Sequence, residues 1–420
     1  PDRGGDLYFA AYGKGLITDA DLDKALVRVL SLKFDLGLFE HPYAPPTDHA
    51  YLAKTAELVR EAGRKAMTLL KNDGILPLKG NRIGRVAVIG PQAGDRIMNM
   101  LGDYTALHRP GDVVTVLDGV RRSAGTDVRV DFSVGCRIRN TNRSGFAEAE
   151  RMAEESDVTV LALGGSSQSW GKVVVKDEWA GAAVVTGNED PDNDRDCGEG
   201  VDRCRLELSG VQMDLFRAIR AKAKKLVVVL IQGRAAAIGE ILDKSDAVLL
   251  AWYPGSYGGE AVGDALFGVF SPSGRLPVSF PREAGQLPVL SDMSSPARAR
   301  YVDPVGETAP ALPVGYGLSY AEFRHGELKV DGYKLTVQVS NVGSCSAEES
   351  VLFYATVMNS DVQRPWRELV GFSRVSLDPG ATANVSVTVD PEVLGRYDRN
   401  GRFVPCNGEV IYSVSSPSGL

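Results

Sequence analysis

The sequence predicts an α/β plus all-β chain: an open, mostly parallel α/β sandwich followed by a β-sandwich. Two observations carry this. Between residues 51 and 285, short β-branched apolar runs alternate with helical patterns, and from about residue 324 the apolar period falls to two. A length of 420 residues is enough to build at least two separate cores.

Taken in order, residues 1–50 hold one clear helix. Thr18-Asp19-Ala20-Asp21 supplies an N-cap, and Leu22, Ala25, Leu26, Val29, Leu30 and Phe34 follow at helical spacing until Gly37. His41-Pro42-Tyr43-Ala44-Pro45-Pro46 reads as an extended linker. An amphipathic helix is expected over residues 53–71, ending near Asn72-Asp73-Gly74. Strands are expected at 85–89, 127–132, 157–163, 226–231 and 247–252, with helices at 145–155, 210–222 and 258–267. These strands are continuously apolar, which suits a sheet covered on both faces. Residues 286–323 contain several prolines and read as a connection. Residues 324–420 contain short strands at 334–339, 350–356, 383–389 and 409–414 between Gly, Asn and Pro turns, the pattern of a small β-sandwich.

Composition narrows the function classes. Hydrophobic residues make up 44% and charged residues 24%, ordinary for a globular protein. The net charge is −7 with lysine and arginine scattered among the acids, so no nucleic-acid partner is expected. The longest apolar run, residues 247–253, is far short of the roughly 20 residues that span a bilayer, and no membrane partner is expected. The text opens on Pro1-Asp2-Arg3 without Met or signal segment, and the chain is expected to be part of a longer protein. Compartment stays open, with a secreted or periplasmic location favoured over the cytoplasm. Five cysteines and four histidines match no zinc spacing, and neither metal nor organic cofactor is expected. Cys197 with Cys204 and Cys345 with Cys406 could form two disulfides beside a free Cys136; buried free thiols explain the same residues equally well.

The chemistry is expected at the end of the third strand. Residues 157–163 run into Gly164-Gly165-Ser166-Ser167, and the next helix begins only near residue 210. Ligands of open α/β sheets bind outside the carboxyl ends of strands, and connections this long are often functional. This one carries Asp177, Glu178, Glu189, Asp190, Asp192, Asp194, Asp196, Glu199 and Asp202. In Cys197-Gly198-Glu199-Gly200-Val201-Asp202-Arg203 two glycines flank one glutamate, which lets the backbone turn tightly and present a carboxyl group. Asp202 and Arg203 can pair with other charges and support the loop. Partial burial or a nearby carboxylate would keep such a glutamate protonated, as a general acid must be. The residues alone leave open an acidic, solvated loop; they lack the alternating ligands of a calcium loop. Gly164-Gly165 fits neither GxGxxG nor a phosphate loop, and no G-x-S-x-G elbow surrounds Ser166 or Ser167. Trp170, Trp179, Trp252 and Tyr253 could face a sugar, or pack in the core. Asn142-Arg143-Ser144 and Asn384-Val385-Ser386 fit the glycosylation sequon, a pattern short enough to arise by chance.

Several runs of residues, in order, resemble glycoside hydrolase family 3, the β-glucosidase and β-xylosidase group. They are Lys33-Phe34-Asp35-Leu36-Gly37-Leu38-Phe39, the stretch from Arg60-Glu61-Ala62 to Lys71-Asn72-Asp73-Gly74-Ile75-Leu76-Pro77-Leu78, Trp252-Tyr253-Pro254-Gly255, Pro272-Ser273-Gly274-Arg275-Leu276-Pro277, Gly315-Tyr316-Gly317-Leu318-Ser319-Tyr320 and Arg364-Pro365-Trp366-Arg367-Glu368-Leu369. The resemblance implies three parts: residues 1–50 as the last helix of a missing (β/α)₈ barrel with its linker, 51–285 as an α/β sandwich carrying the acid/base loop, and, beyond the 286–323 connection, 324–420 as a fibronectin type III-like module. It implies retaining hydrolysis of terminal β-glucosyl or β-xylosyl residues, with the nucleophilic aspartate on the barrel. Ser-Asp occurs at 156–157, 245–246, 291–292 and 360–361, never before an aromatic, so that aspartate is expected to lie outside this chain. The family's Glu-Gly-x-Asp-Arg signature falls on residues 199–203 and selects Glu199 as general acid/base, with Glu178 as rival. Val201 and Leu208-Ser209-Gly210 depart from the usual Tyr or Phe and Leu-Pro-Gly without removing chemistry. The implied partners are a β-linked oligosaccharide or β-glycoside and the N-terminal barrel, with room for a homodimer. A non-catalytic carbohydrate-binding or structural relative, or a glycosidase of glycosylated natural products, is the alternative.

Overall fold

The computed structural model describes residues 4–44, 49–78, 83–105, 108, 111–167, 194–198, 203–289, 309–360, 362 and 364–415. Described residues up to Glu57 form one compact unit, and the remaining described residues form a second. The first unit contains α1 (Gly4–Gly13) and α2 (Asp19–Asp35). Thr18 caps α2 as its sequence predicts: the Asp21 N–H donates to Thr18 Oγ1 at 3.3 Å, and the Thr18 N–H to Asp21 Oδ2 at 3.0 Å. Leu22, Leu26, Val29 and Leu30 lie along this helix and are all exposed.

The second unit is built on a six-stranded sheet of β1 (Thr68–Asn72), β2 (Arg85–Ile89), β3 (Arg129–Ser133), β4 (Val158–Gly164), β5 (Leu226–Ile231) and β6 (Ala247–Trp252), in the order β1-β6-β5-β4-β2-β3. Only β1 is antiparallel to its neighbour. The expected helix over residues 53–71 is corrected here. Helix α3 spans His49–Ala66, and Thr68-Leu69-Leu70 turn into the sheet, fully buried, with Thr68 opposite Leu250. Pairing of this buried apolar run outweighs the helical pattern that leads into it.

Successive side chains of the parallel strands go to opposite faces, and both faces are covered. Val86, Val160, Val227 and Val229 join one core with Val116, Val120, Val262 and Leu266 of α4 (Val116–Ala124) and α8 (Gly258–Leu266). Ala87, Leu161, Val228 and Leu230 join the other with Ala149, Leu215, Phe216 and Ile241 of α5 (Phe146–Glu155), α6 (Gln212–Lys222) and α7 (Gly239–Lys244). The chain leaves β2 over one face through α4 to the edge strand β3, then returns over the other through α5 to β4. The direction of winding therefore reverses between the carboxyl ends of β2 and β4, the switch point where such sheets open a crevice.

Residues 323–414 form the β-sandwich. One sheet orders β11 (Glu368–Leu377), β10 (Ala347–Met358) and β15 (Glu409–Val414); the other orders β12 (Thr382–Thr388), β9 (Lys334–Asn341) and β7 (Phe323–His325), with β8 (Lys329–Asp331) on β9. Leu335, Val337 and Val339 of β9 meet Val351, Phe353 and Ala355 of β10 in its core. A small hairpin, β13 (Arg396–Tyr397) with β14 (Phe403–Val404), flanks it.

The Pro272-Ser273-Gly274-Arg275 segment docks the sandwich on the α/β layer. Ser350 Oγ donates to the Ser273 carbonyl at 2.8 Å. Arg275, 8% exposed, donates two bonds of 2.8 and 2.7 Å to the carboxylate of Glu349, which is 1% exposed. His325 Nε2 lies 3.2 Å from the same carboxylate. Removing one partner of a buried bidentate pair strands the other charge in a low dielectric. Arg275→Met is expected to lower unfolding free energy by about 3 kcal/mol or more. Urea unfolding checks this, and a midpoint unchanged from the parent would refute the docking role of the pair.

Candidate functional site

At the switch point β4 ends at Gly164, paired with Ile231 of β5, and the Gly165 N–H still donates to the Ile231 carbonyl at 3.0 Å. The Gly164 N–H donates to Gln212 Oε1 at 2.9 Å, and Gln212 Nε2 returns a 2.8 Å bond to the Gly164 carbonyl. Gln92, just past β2, donates through Nε2 to the Gly165 carbonyl at 2.5 Å. Gly164 has φ +146°, and a Cβ there would stand 1.9 Å from the Ile231 carbonyl oxygen; at Gly165 it would stand 2.6 Å from Asp196 Oδ1. Close packing, not phosphate binding, is what this glycine pair serves.

The chain returns to this edge at residue 194. The Asp194 carboxylate accepts the N–H groups of Ile138 and Arg139, each at 2.9 Å, while burial pushes its carboxyl group above the ordinary range. Asp196 is anchored more elaborately. Its N–H donates to the Ser166 carbonyl at 2.9 Å, and its Oδ1 accepts the Ser166 N–H at 2.9 Å. Its Oδ2 accepts from the Arg203 guanidinium and, at 3.0 Å, from Ser209 Oγ. Arg234, leaving β5, places Nη2 3.5 Å from the same oxygen and donates to the Asp196 carbonyl at 3.4 Å. Arg203 also donates to the Glu207 carbonyl.

Ser166 and Ser167 therefore act as anchors. Ser167 Oγ accepts the Asp103 N–H at 2.8 Å. Gly198 follows with φ +124°, where a Cβ would approach the Ser167 carbonyl oxygen to 2.9 Å, so the glycine before Glu199 is needed for a close backbone crossing. Tyr253 closes the far side. Its hydroxyl lies 3.7 Å from Cys197 Sγ, and burial with the neighbouring thiol pushes the phenol upward. Trp252 instead packs edge-on against Phe280, ring centroids 6.2 Å apart, from a backbone with φ +61°. That left-handed conformation is strained for a bulky residue, and it sits at the carboxyl edge of β6 beside the site.

Of the residues singled out from sequence, Arg203, Trp252, Tyr253, Ser166 and Ser167 lie on this edge. Glu199, its rival Glu178, Asp202, Trp170 and Trp179 fall outside the described residues. Asp196, which the sequence offered only as one of nine acids, carries the root of the loop together with Arg234, Gln92 and Gln212, which were not anticipated. One available signal was the opposite charges of Asp196 and Arg203 at the two ends of the glycine-flanked segment. Of the two alternatives left open by the sequence, free thiols are what the structure has: all five cysteines are free. Cys197 turns to Tyr253, whereas Cys204 is exposed. Among the described residues no cluster of His, Cys, Asp and Glu could hold a metal ion, and no helix is long and apolar enough to cross a membrane.

Residues 67–320 match the model of the glycosyl hydrolase family 3 C-terminal domain, and residues 349–418 match that of the fibronectin type III-like domain. A β-xylosidase of Formosa agariphila is 32% identical over 418 residues, covering 94% of this chain and 54% of that protein. A periplasmic β-glucosidase of Salmonella typhimurium is 31% identical over 441 residues, covering 95% and 55%. The chain thus spans about half the length of these curated relatives. Among solved structures, a β-glucosidase involved in saponin metabolism from intestinal bacteria superimposes with a TM-score of 0.82 at 26% identity, covering 97% of this chain and 59% of its own. A β-glucosidase of Erythrobacter marinus gives 0.80 at 29%, covering 98% and 56%.

The cysteine environments make a direct check of this site. Burial pushes the Cys136 thiol up to about 12, and burial followed by Asp196 raises that of Cys197. Only the thiolate alkylates, so with iodoacetamide near pH 8 the native protein should label first at exposed Cys204, slowly at Cys197, and at Cys136 only after unfolding. Mass mapping of the labelled peptides reads the order; native Cys136 reacting as fast as Cys204 would contradict it.

Proposed function

This chain belongs to glycosyl hydrolase family 3, and from that premise we propose that it supplies the general acid/base of a retaining exo-β-glycosidase. The substrate is a terminal β-glucosyl or β-xylosyl residue, and the nucleophilic aspartate comes from a barrel domain of the same protein. Glu199 protonates the leaving oxygen as the aspartate attacks the anomeric carbon, then activates water to release the sugar. The two carboxyl groups must meet at about 5–5.5 Å, so the barrel docks against the carboxyl edge of the sheet. Under this proposal residues 1–50 close the barrel, 51–285 carry the acid/base loop and 324–420 form the fibronectin-like module. Export to the periplasm or beyond fits the periplasmic β-glucosidase among the relatives.

The observation that carries the proposal is the Asp196–Arg203 pair at the end of β4, which brings together both ends of the segment bearing the family's Glu-Gly-x-Asp-Arg signature. The exposed apolar side of α2 supports a companion domain in the same way. The neighbour from saponin metabolism supports a second substrate reading, a glycosylated natural product.

Hydrolysis of aryl β-glucosides and β-xylosides, by this chain alone and joined to its barrel, tests the proposal. The chain alone should be inactive, and full activity from it would sink the account. In the joined protein, Glu199→Gln should lower kcat/KM on phenyl glycosides by about 10²–10⁴-fold, the usual contribution of a general acid. Glu178→Gln should leave it within about threefold, since removing a charge outside the proton-transfer pair costs little.

A further inference from the structure

The ion cluster of Asp196, Arg203 and Arg234 has more connections than a loop anchor needs. Asp196 stands three residues before Glu199, and Arg203 four after it. The Asp196 side chain is 2% exposed and that of Arg203 17%. Asp196 is held from β4 by Ser166, from the turn before α6 by Ser209, and from the exit of β5 by Arg234. Both ends of the segment are therefore tied to one carboxylate, and that carboxylate to two strand ends of the sheet. We propose that Asp196 is a positioning residue for the acid/base carboxyl: by pairing with Arg203 it fixes both ends of the short segment that carries Glu199. The inference rests on Glu199 being the acid/base.

Proton transfer tolerates little displacement. General acid catalysis requires the proton within hydrogen-bond reach of the leaving oxygen, and a displacement of about 1 Å can cost as much as 10²-fold. A segment tied only at Asp196 would keep the freedom of its remaining backbone dihedrals. Tying the segment at Arg203 as well, through a buried carboxylate that already accepts from Ser166 and Ser209, removes part of that freedom. Fixing the segment affects the step that needs the proton. It leaves steps that need none largely untouched, which separates positioning from general support of the fold.

The test uses the full-length enzyme, barrel included, with two aryl β-glycosides. 2,4-Dinitrophenolate leaves without a proton, whereas phenolate needs one. Asp196→Asn keeps the shape of the side chain and removes its charge. Its kcat/KM on the phenyl glycoside should fall roughly 10- to 100-fold, and on the dinitrophenyl glycoside by no more than about threefold. Arg203→Gln should show the same split, and the double variant should be no worse than the worse single one, because both remove the same pair. If Asp196→Asn does not fold by circular dichroism and sedimentation, Arg203→Gln carries the test. Equal loss on both substrates, or loss on neither, in folded Arg203→Gln overturns the proposal. Glu199→Gln run alongside distinguishes the two failures. If it shows no leaving-group split, the acid/base reading itself falls. If it shows one that both clamp variants lack, only the positioning role falls.

Discussion

A carboxyl group removed from water needs donors that converge on it, and that of Asp196 accepts from the Ser166 N–H, Arg203 and Ser209, with the Arg234 guanidinium 3.5 Å away as a further positive charge. Ser166 and Arg234 stand 30 and 38 residues from Asp196, and Arg203 and Ser209 lie 7 and 13 residues after it. Satisfying one buried charge therefore fixes the exit of β4, the exit of β5 and the turn into α6 relative to one another. The two glutamines extend the same constraint: Gln212 holds both polar groups of Gly164, and Gln92 holds the Gly165 carbonyl from the other side. Backbone at the end of a strand would otherwise bury unpaired donors and acceptors.

That convergence occurs where the topology allows it. On either side of the switch point the chain leaves β2 and β4 over opposite faces, the arrangement that opens a crevice at the carboxyl ends of such sheets. Helices cover both faces of the sheet, and the Arg275–Glu349 pair ties the β-sandwich to the segment after α8. A strained Trp252 at the same edge fits this placement, because only a tightly packed surround can hold a bulky residue at positive φ.

Much of the fold was legible because burial on both faces leaves a signature that survives in one sequence. The runs at 226–231 and 247–252 are continuously apolar, and their strands fall at those bounds. Strand β1 was not, since its apolar residues prolong the periodicity of α3 and only pairing with β6 reveals it. Strand β11 was passed over as well: most of its residues are of intermediate burial whichever face they lie on, so its sequence carries no clean alternation. The site was legible only in part. Arg203 could be picked out from the signature it ends. Asp196 was one acid among nine, and its partners Ser166 and Arg234 lie 30 and 38 residues away. Nothing local in the sequence marks a contact of that range.

The same long-range contacts bear on why so long a connection can serve chemistry at all. The cost of holding a flexible segment's ends grows with the logarithm of its length. Between β4 and α6 the chain runs more than 40 residues, whereas Asp196 and Arg203 enclose only six. Closing the shorter span rather than the whole differs by about 1–2 kcal/mol. One buried ion pair with its hydrogen bonds is of the size needed to offset the remaining cost. The Asp196–Arg203 pair thus closes the signature segment over six residues whatever the length of the stretch before it, because Asp196 is itself held to the end of β4 by Ser166.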